Sequence, residues 1–419
     1  MNGFEKTSMA VSHREGPVPI DFGSSDVTGM HVTVVEALRR RYGLENRPVK
    51  ACEPYQMLGE VEEDLKEALG VDVEGVPPET TIFGFKNEGW KEWRAPWGQT
   101  LLVPEGFCTV EKDGALFIFP EGDTNAEPSG KMPAGGYYFD SIIRQPPIDE
   151  DDLDPADNLE EFAAVTDSSI EYYRNACAAA RRTGRYVFAN FGWTGLGDIA
   201  LVTAPMLRKP RGIRDVAEWY MALVTHEDYI RAVFDVQTRL AIENLAKIKD
   251  AVADNVDATF VCAADFGTQT SQFCSVATFK SLWAPYYRRV NDWVHQNTRW
   301  RTFKHCCGAA EPFMESFIEC GFDIINPVQL SAAGMDAAEL KRKYGARLTF
   351  WGGGVDTQRT LPFGSPAEVR REALERCAIL SENGGYVFNA IHNIQAKTPI
   401  ENIVALIHAV HEFNGENWA

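Results

Sequence analysis

Short apolar runs alternating with long amphipathic stretches predict an α/β chain folded as a TIM (β/α)8 barrel with an inserted antiparallel β segment. Three observations carry this. Eight β-branched or aromatic runs can be counted, and an amphipathic stretch follows most of them. The last five runs all end in polar side chains, as barrel strands do where they meet a catalytic face. One stretch, 77–157, breaks the rhythm.

The runs are VPIDFG (18–23), VDVEGV (71–76), RYVFANFG (185–192), ATFVCAADFG (258–267), TFKHCCG (302–308), FDIINPVQ (322–329), RLTFWGGG (347–354) and GYVFNAIH (385–392). Helices are expected over 31–43, 159–183, 226–253, 277–297, 311–320, 336–344, 366–382 and 399–413, many of them opened by Ser, Thr, Asp or Pro. Within 77–157, GQTLLVPEGFCTVEKDGALFIFPEG alternates apolar and polar residues around a tight-turn signal, EKDGA, and reads as a β-meander. The acidic tract IDEDDLDPADNLEEF (148–162) shows no fixed ligand spacing and reads as a solvated linker and helix start. The expected organisation is one barrel domain over 1–419 with this insertion at about 77–157. A doubly wound sheet is the alternative, but no G-x-G-x-x-G follows the first run.

Composition narrows the partners. A formal net charge of −19 with pI near 4.9 opposes binding to nucleic acid or an anionic membrane. Nine irregularly spaced cysteines suit a reducing compartment better than a disulfide framework. The N-terminal stretch has no apolar core and no window reaches membrane-span length, so a cytoplasmic protein is expected, and a homo-oligomer is compatible with it.

The polar residues at the run ends are Asp265 and Gln269, His305 and Cys307, Asn326 and Gln329, Asp356, and Asn389, His392, Asn393 and Gln395. Residues two apart on a strand share a face, so His305 and Cys307 are potential co-ligands of one metal. Cys306 points the other way, into the layer between barrel and helices, where a thiol packs well. Zinc accepts imidazole nitrogen and thiolate sulfur, and a catalytic site uses three protein ligands. The third must come from another strand end: His392 leads, with Asp265 and Asp356 behind it.

These residues also carry a resemblance. KHCCG, GFDIINPVQ, FWGGGVDTQRTLPFGSPAEVRREA and GGYVFNAIHNIQAKTPIENIVALIHA, with PVPIDFGSSDVTGMHVTVVEALRRRYGL near the start, resemble the uroporphyrinogen decarboxylase superfamily, a TIM-barrel family. Its true decarboxylases carry an Arg-Gln-Ala-Gly-Arg segment whose cations hold substrate carboxylates; here SHREGPVPIDFG offers only Arg14. Its cobalamin-dependent branch, similar to methylcobalamin:coenzyme M methyltransferases, uses His-x-Cys and a later cysteine as zinc ligands. At the position of that cysteine this chain has His392.

The resemblance therefore implies Zn2+ on His305, Cys307 and His392, and a methyl group moved between a small methylated compound and a corrinoid. No B12-binding Asp-x-His-x-x-Gly segment is present, so the corrinoid (methylcobalamin or cob(I)alamin) is expected on a partner protein. A methyl ether such as a methoxylated aromatic, or a thiol, is the expected substrate. Asp265 or Asp356 would hold or protonate the departing group, and Gln269, Asn326 and Gln329 would orient the substrate. Two other readings stand beside this one. A decarboxylase would need a cationic clamp, for which LRKPRGIR offers Arg208, Arg211 and Arg214; a non-catalytic zinc barrel would need no turnover at all.

Overall fold

The computed structural model describes residues 1–419 except Glu150, Trp193 and Ala419. Seven parallel strands, each paired to the next in chain order, form one curled sheet: Val73–Val76, Tyr186–Ala189, Ala258–Cys262, Arg301–His305, Ile324–Asn326, Thr349–Trp351 and Tyr386–Val387. The eighth stave is not a regular strand. Residues 19–21 bridge the two sheet edges: Asp21 N–H donates to Phe388 O (2.9 Å), Phe388 N–H to Pro19 O (2.8 Å) and Asp72 N–H to Ile20 O (2.8 Å). Pro17 and Pro19 have no N–H to continue a ladder, so the run expected over 18–23 closes the barrel with isolated bridges.

Side chains alternate across the barrel wall. Phe188, Phe260, Phe303 and Trp351 fill the interior, with Phe188 and Phe303 centroids 4.6 Å apart. The neighbouring wall positions face a larger core between strands and helices, which includes Val187, Val261, Ile325 and Phe350. The helices Asp167–Arg182, Glu227–Val252, Ala284–Asn297, Ala337–Tyr344, Pro366–Leu380 and Ile400–Phe413 cover that layer. Their starts explain themselves: Thr166, Asp336 and Ser365 accept backbone N–H groups of the first turn, Ser365 in a full capping box. A helix that the pattern does not announce, Gly3–Val11, lies at the N-terminal end of the barrel, where Ala10 O accepts Gly385 N–H and Val11 joins the interior cluster.

That end is stitched by a repeated device. Asp72, Asp257 and Asp323 each stand just before a strand and accept a backbone N–H from the preceding stave, of Ile20 (2.8 Å), Val187 (2.8 Å) and Thr302 (2.8 Å). Each also has a cation: Lys6 (3.0 Å), Arg181 (2.7 Å) and Arg301 (3.0 Å) respectively.

The inserted material forms two four-stranded sheets and draws on residues before 77; it is not wholly antiparallel as expected, because Val49–Glu53 pairs parallel with Thr100–Val103. One sheet orders Leu58–Gly59, Val49–Glu53, Thr100–Val103 and Lys91–Arg94; the other runs Thr109–Lys112, Ala115–Ile118, Gly130–Met132 and Asp140–Ser141. Asp113 (φ 51°) and Gly114 (φ 75°) make the tight hairpin that EKDGA announces. Phe83, Phe85, Phe107 and Phe139 pack edge and face between the sheets.

The acidic tract is exposed at Asp149, Asp151, Asp152 and Asp154, but its C-terminal part is not a solvated linker. Arg211 pairs with Asp157 and Glu160 (2.9 Å each), and the fully buried Arg214 side chain pairs with Glu161 (2.7 Å). Two segments that each read as exposed charge neutralise one another. Among the described residues, no helix is long and apolar enough to cross a membrane.

Candidate metal centre and its cavity

His305 ends its strand and is 4% exposed, facing the same side as Phe303. Its Nδ1 lies 2.6 Å from Asn326 Oδ1, while Asn326 donates its amide to Trp351 O (2.9 Å). The Asn326 oxygen therefore accepts, His305 carries its proton on Nδ1, and the Nε2 lone pair faces Cys307 Sγ at 3.2 Å. Cys307 sits at the same face after the strand, and His392 comes from the loop after Tyr386–Val387. One donor atom each from His305, Cys307 and His392 lie within 4.8 Å of one another.

Backbone packing holds the Cys307 turn. Gly308 (φ 82°) crosses Gly267 so closely that a Cβ on Gly308 would lie 2.4 Å from the Gly267 carbonyl. Asp265 Oδ1 accepts Cys307 N–H (2.6 Å) and Gln329 Oε1 accepts Gly308 N–H (2.7 Å). Gln329 in turn donates to Gln269 (3.0 Å) and Gln269 to Ser331 O (2.5 Å). Cys306 is fully buried on the opposite face, its sulfur accepting Phe266 N–H at 3.3 Å.

Burial lowers the His305 pKa to about 4 and, with the neighbouring His305, that of His392 to about 3. Both rings are neutral at pH 7 and offer lone pairs. Burial, then the Asp265 carboxylate, pushes the Cys307 thiol well up. Two imidazoles and a thiol with this spacing match a three-ligand zinc site. The two imidazoles differ, however. Asn393 N–H donates to His392 Nδ1 (2.8 Å), so the neutral ring carries its proton on Nε2, and ligation through Nε2 calls for the other tautomer.

The triad opens on a cavity of about 1340 Å³ at the C-terminal end of the strands. Its wall includes His305, Cys307, His392 and Asp265, with Phe191 and Phe260 as apolar surface. Asn326, Gln329 and Gln269 are not on that wall: the first backs His305 and the other two tie the Cys307 loop to its neighbours. Asp356 is not brought to the cavity either. Its Oδ1 accepts the N–H groups of Gln358 (2.7 Å) and Arg359 (3.2 Å), the usual employment of an Asp that opens a turn.

The residues that the strand-end reading missed are Asp26, Glu53 and Asp198, all on the cavity wall. Asp198 follows a glycine-rich turn, GWTGLGD, and Asp26 stands in SSDVTG. Those loop compositions were the available signal.

Comparison with known proteins bears on this arrangement. Residues 138–413 match the family model described as uroporphyrinogen decarboxylase (URO-D). The chain belongs to this family. Uroporphyrinogen decarboxylases of Coxiella burnetii, strains RSA 493 / Nine Mile phase I and Dugway 5J108-111, are 29% identical over 82 residues, which is 20% of this chain and 22% of theirs. The match thus spans about a fifth of those relatives. A solved structure described as a methyltransferase from Methanosarcina mazei aligns over 99% of both chains with 14% identity and a TM-score of 0.55, so the two share their fold. The URO-D family barrel is accordingly the scaffold on which the triad sits.

Proposed function

We propose that this URO-D family protein is a zinc-dependent methyltransferase, moving a methyl group between a small methylated compound and a corrinoid carried by a partner protein. The observation that supports it is the convergence of His305, Cys307 and His392 on one wall of a large cavity. Zinc bound there would supply Lewis acidity toward a departing or arriving heteroatom. The protein's own contributions are distinct. Asn326 fixes the His305 tautomer, and Asp265 and Gln329 hold the Cys307–Gly308 backbone, so the donor atoms of His305 and Cys307 are placed before any ion arrives, while His392 must change tautomer to ligate through Nε2. Phe191 and Phe260 exclude water around the substrate body.

The decarboxylase reading is supported less. Poly-carboxylate substrates need free cations, and the wall's cations, Lys50 and Lys66, are paired with Glu60 (3.0 Å) and with Glu74. The expected clamp is also spent: Arg208 pairs with Glu121 (2.6 Å), and Arg211 and Arg214 hold the acidic tract. Metal analysis of the purified chain with a methyl-transfer assay using cob(I)alamin tests the proposal. One zinc per chain and transfer that fails after His392→Ala are expected; a zinc-free active protein, or zinc unchanged in that variant, would overturn it.

A further inference from the structure

The cavity wall carries more carboxylates than cations, and the buried Lys304, which is not among the wall residues, offsets the charge of Asp198 and Asp265 only in part. Both of the wall's lysines are committed: Lys50 lies 3.0 Å from Glu60, 3.5 Å from Glu62 and over the Trp90 ring, and Lys66 is paired with Glu74. No arginine is among the described wall residues. Asp26, Glu53 and Asp198 share that wall and have no cationic partner among the described residues. Asp265 is set aside because it serves the Cys307 backbone.

Asp198 is the most informative of the three. It is only 6% exposed, and its Oδ1 accepts Ala200 N–H at 3.0 Å as a helix cap. Its other oxygen has no hydrogen bond among the described residues, and the residue lines the cavity. Glu53 spends one lone pair of each oxygen on the N–H groups of Tyr55 (2.9 Å) and Gln56 (2.7 Å), and the Asp26 carboxylate, which bonds to its own backbone N–H, has no ion pair among the described residues. Burial raises Asp198 to about 7, helped by repulsion from Asp265 and Asp26, and raises Glu53 to about 7, helped by Asp26. The buried Asp198 charge is costly, and the exposed Asp26 carboxylate repels both it and the half-buried Glu53.

Two occupants fit such a field. A metal ion would need its ligands gathered at one point, and among the described residues only the His305, Cys307 and His392 group is gathered that tightly. Asp26, Glu53 and Asp198 are not gathered in this way and share the wall with the aromatic side chains of Tyr55 and Phe260. Ungathered carboxylates with aromatic side chains suit a bulky cation with diffuse charge, which gains from both.

We infer that the cavity takes a small organic cation, a quaternary or otherwise methylated ammonium compound, held by Asp26, Glu53 and Asp198 against these aromatic rings. The inference names the charge class of substrate for the site proposed above. It rests on that reading only in taking the cavity as the substrate site, and not on the metal triad.

Calorimetric titration of the full chain with choline, its neutral isostere 3,3-dimethylbutan-1-ol and benzoate tests it without any turnover. Choline is expected to bind at least about tenfold more tightly than the alcohol, with benzoate weakest, and added salt should narrow the gap. Asp198→Asn and Glu53→Gln should each weaken choline by about tenfold and leave the alcohol unchanged. Zinc-stripped protein and His392→Ala should retain the choline preference. Equal binding of choline and the alcohol, tighter benzoate, no binding of any of the three, or a preference lost with zinc but untouched by the carboxylate substitutions would each overturn it. A retained choline preference in a protein without methyl-transfer activity would sink the methyltransferase reading alone.

Discussion

The two ends of this barrel use the same residue type to opposite ends. At the N-terminal end, Asp72, Asp257 and Asp323 are each satisfied by a neighbouring strand's N–H and by a cation. At the C-terminal end, Asp26, Glu53 and Asp198 line a cavity whose two lysines are paired with other carboxylates, and none of the three has a salt bridge among the described residues. Carboxylates with all partners present hold staves together; carboxylates without them leave a field that only something from outside can satisfy. The barrel separates stability from function by which end it leaves incomplete.

Substitutions that exchange the expected consequences would break this contrast. The largest effect is expected for Cys307→Ala or His305→Ala, which remove a ligand: zinc affinity should fall by well over about 100-fold, read by chelator competition, with the melting temperature of the zinc-free protein nearly unchanged. Unfolding in zinc-free buffer at much lower temperature would place these residues among the structural ones.

Asp323→Ala comes next. It strands the N–H of Thr302 and frees His295 and Arg301, and should cost about 2 kcal/mol in urea unfolding, discounted because both cations are partly exposed. Its metal affinity should be unchanged. Asn326→Ala, which frees the His305 ring, should weaken zinc by about tenfold with a smaller stability loss.

The smallest effect, on the order of 1 kcal/mol, is a gain: Asp198→Asn keeps the helix cap and removes an uncompensated buried charge. Its pH dependence opposes that of Asp323. The folded Asp198 titrates at about 7, above its ordinary value of 3.8, so its penalty is absent below the ordinary value and complete above pH 7. The gain from Asp198→Asn should therefore appear in mildly alkaline buffer and vanish toward pH 4. Asp323 is held below its ordinary value by His295, the Thr302 N–H and Arg301 despite burial, so its contribution exists above pH 3.8 and is lost as pH falls through the depressed value. His295, raised above 6.5 chiefly by Asp323, contributes below that pH and ceases to as pH rises through its folded value. Matching pH profiles for the two aspartate substitutions would remove the distinction between the ends.

Much of the barrel is legible because its signals are local. A strand's period of two divides His305 and Cys307 from Cys306 without any knowledge of neighbours, and each apolar run marks a stave wherever its N–H groups are free. The exception at 18–23 has a local cause too, the prolines at 17 and 19. The same locality misleads for the acidic tract, where Asp157, Glu160 and Glu161 read as solvated until Arg211 and Arg214 arrive from some fifty residues away. It misleads again for Asn326, Gln329 and Gln269: polar strand ends look alike in sequence whether they face the cavity or the backbone behind it.

By itself, then, the sequence determined the eight-stave order, the facing of the His-x-Cys pair and the chemical kind of its donor atoms, because these follow from covalent spacing and side-chain type. The tertiary structure alone decided that Asp356 stays in its turn while His392, the residue the resemblance pointed to, comes within 4.8 Å of that pair, and that Asp26, Glu53 and Asp198 line one cavity with no salt bridge among the described residues. Whether a charge is paired depends on every segment that folds around it, and no local pattern records that sum.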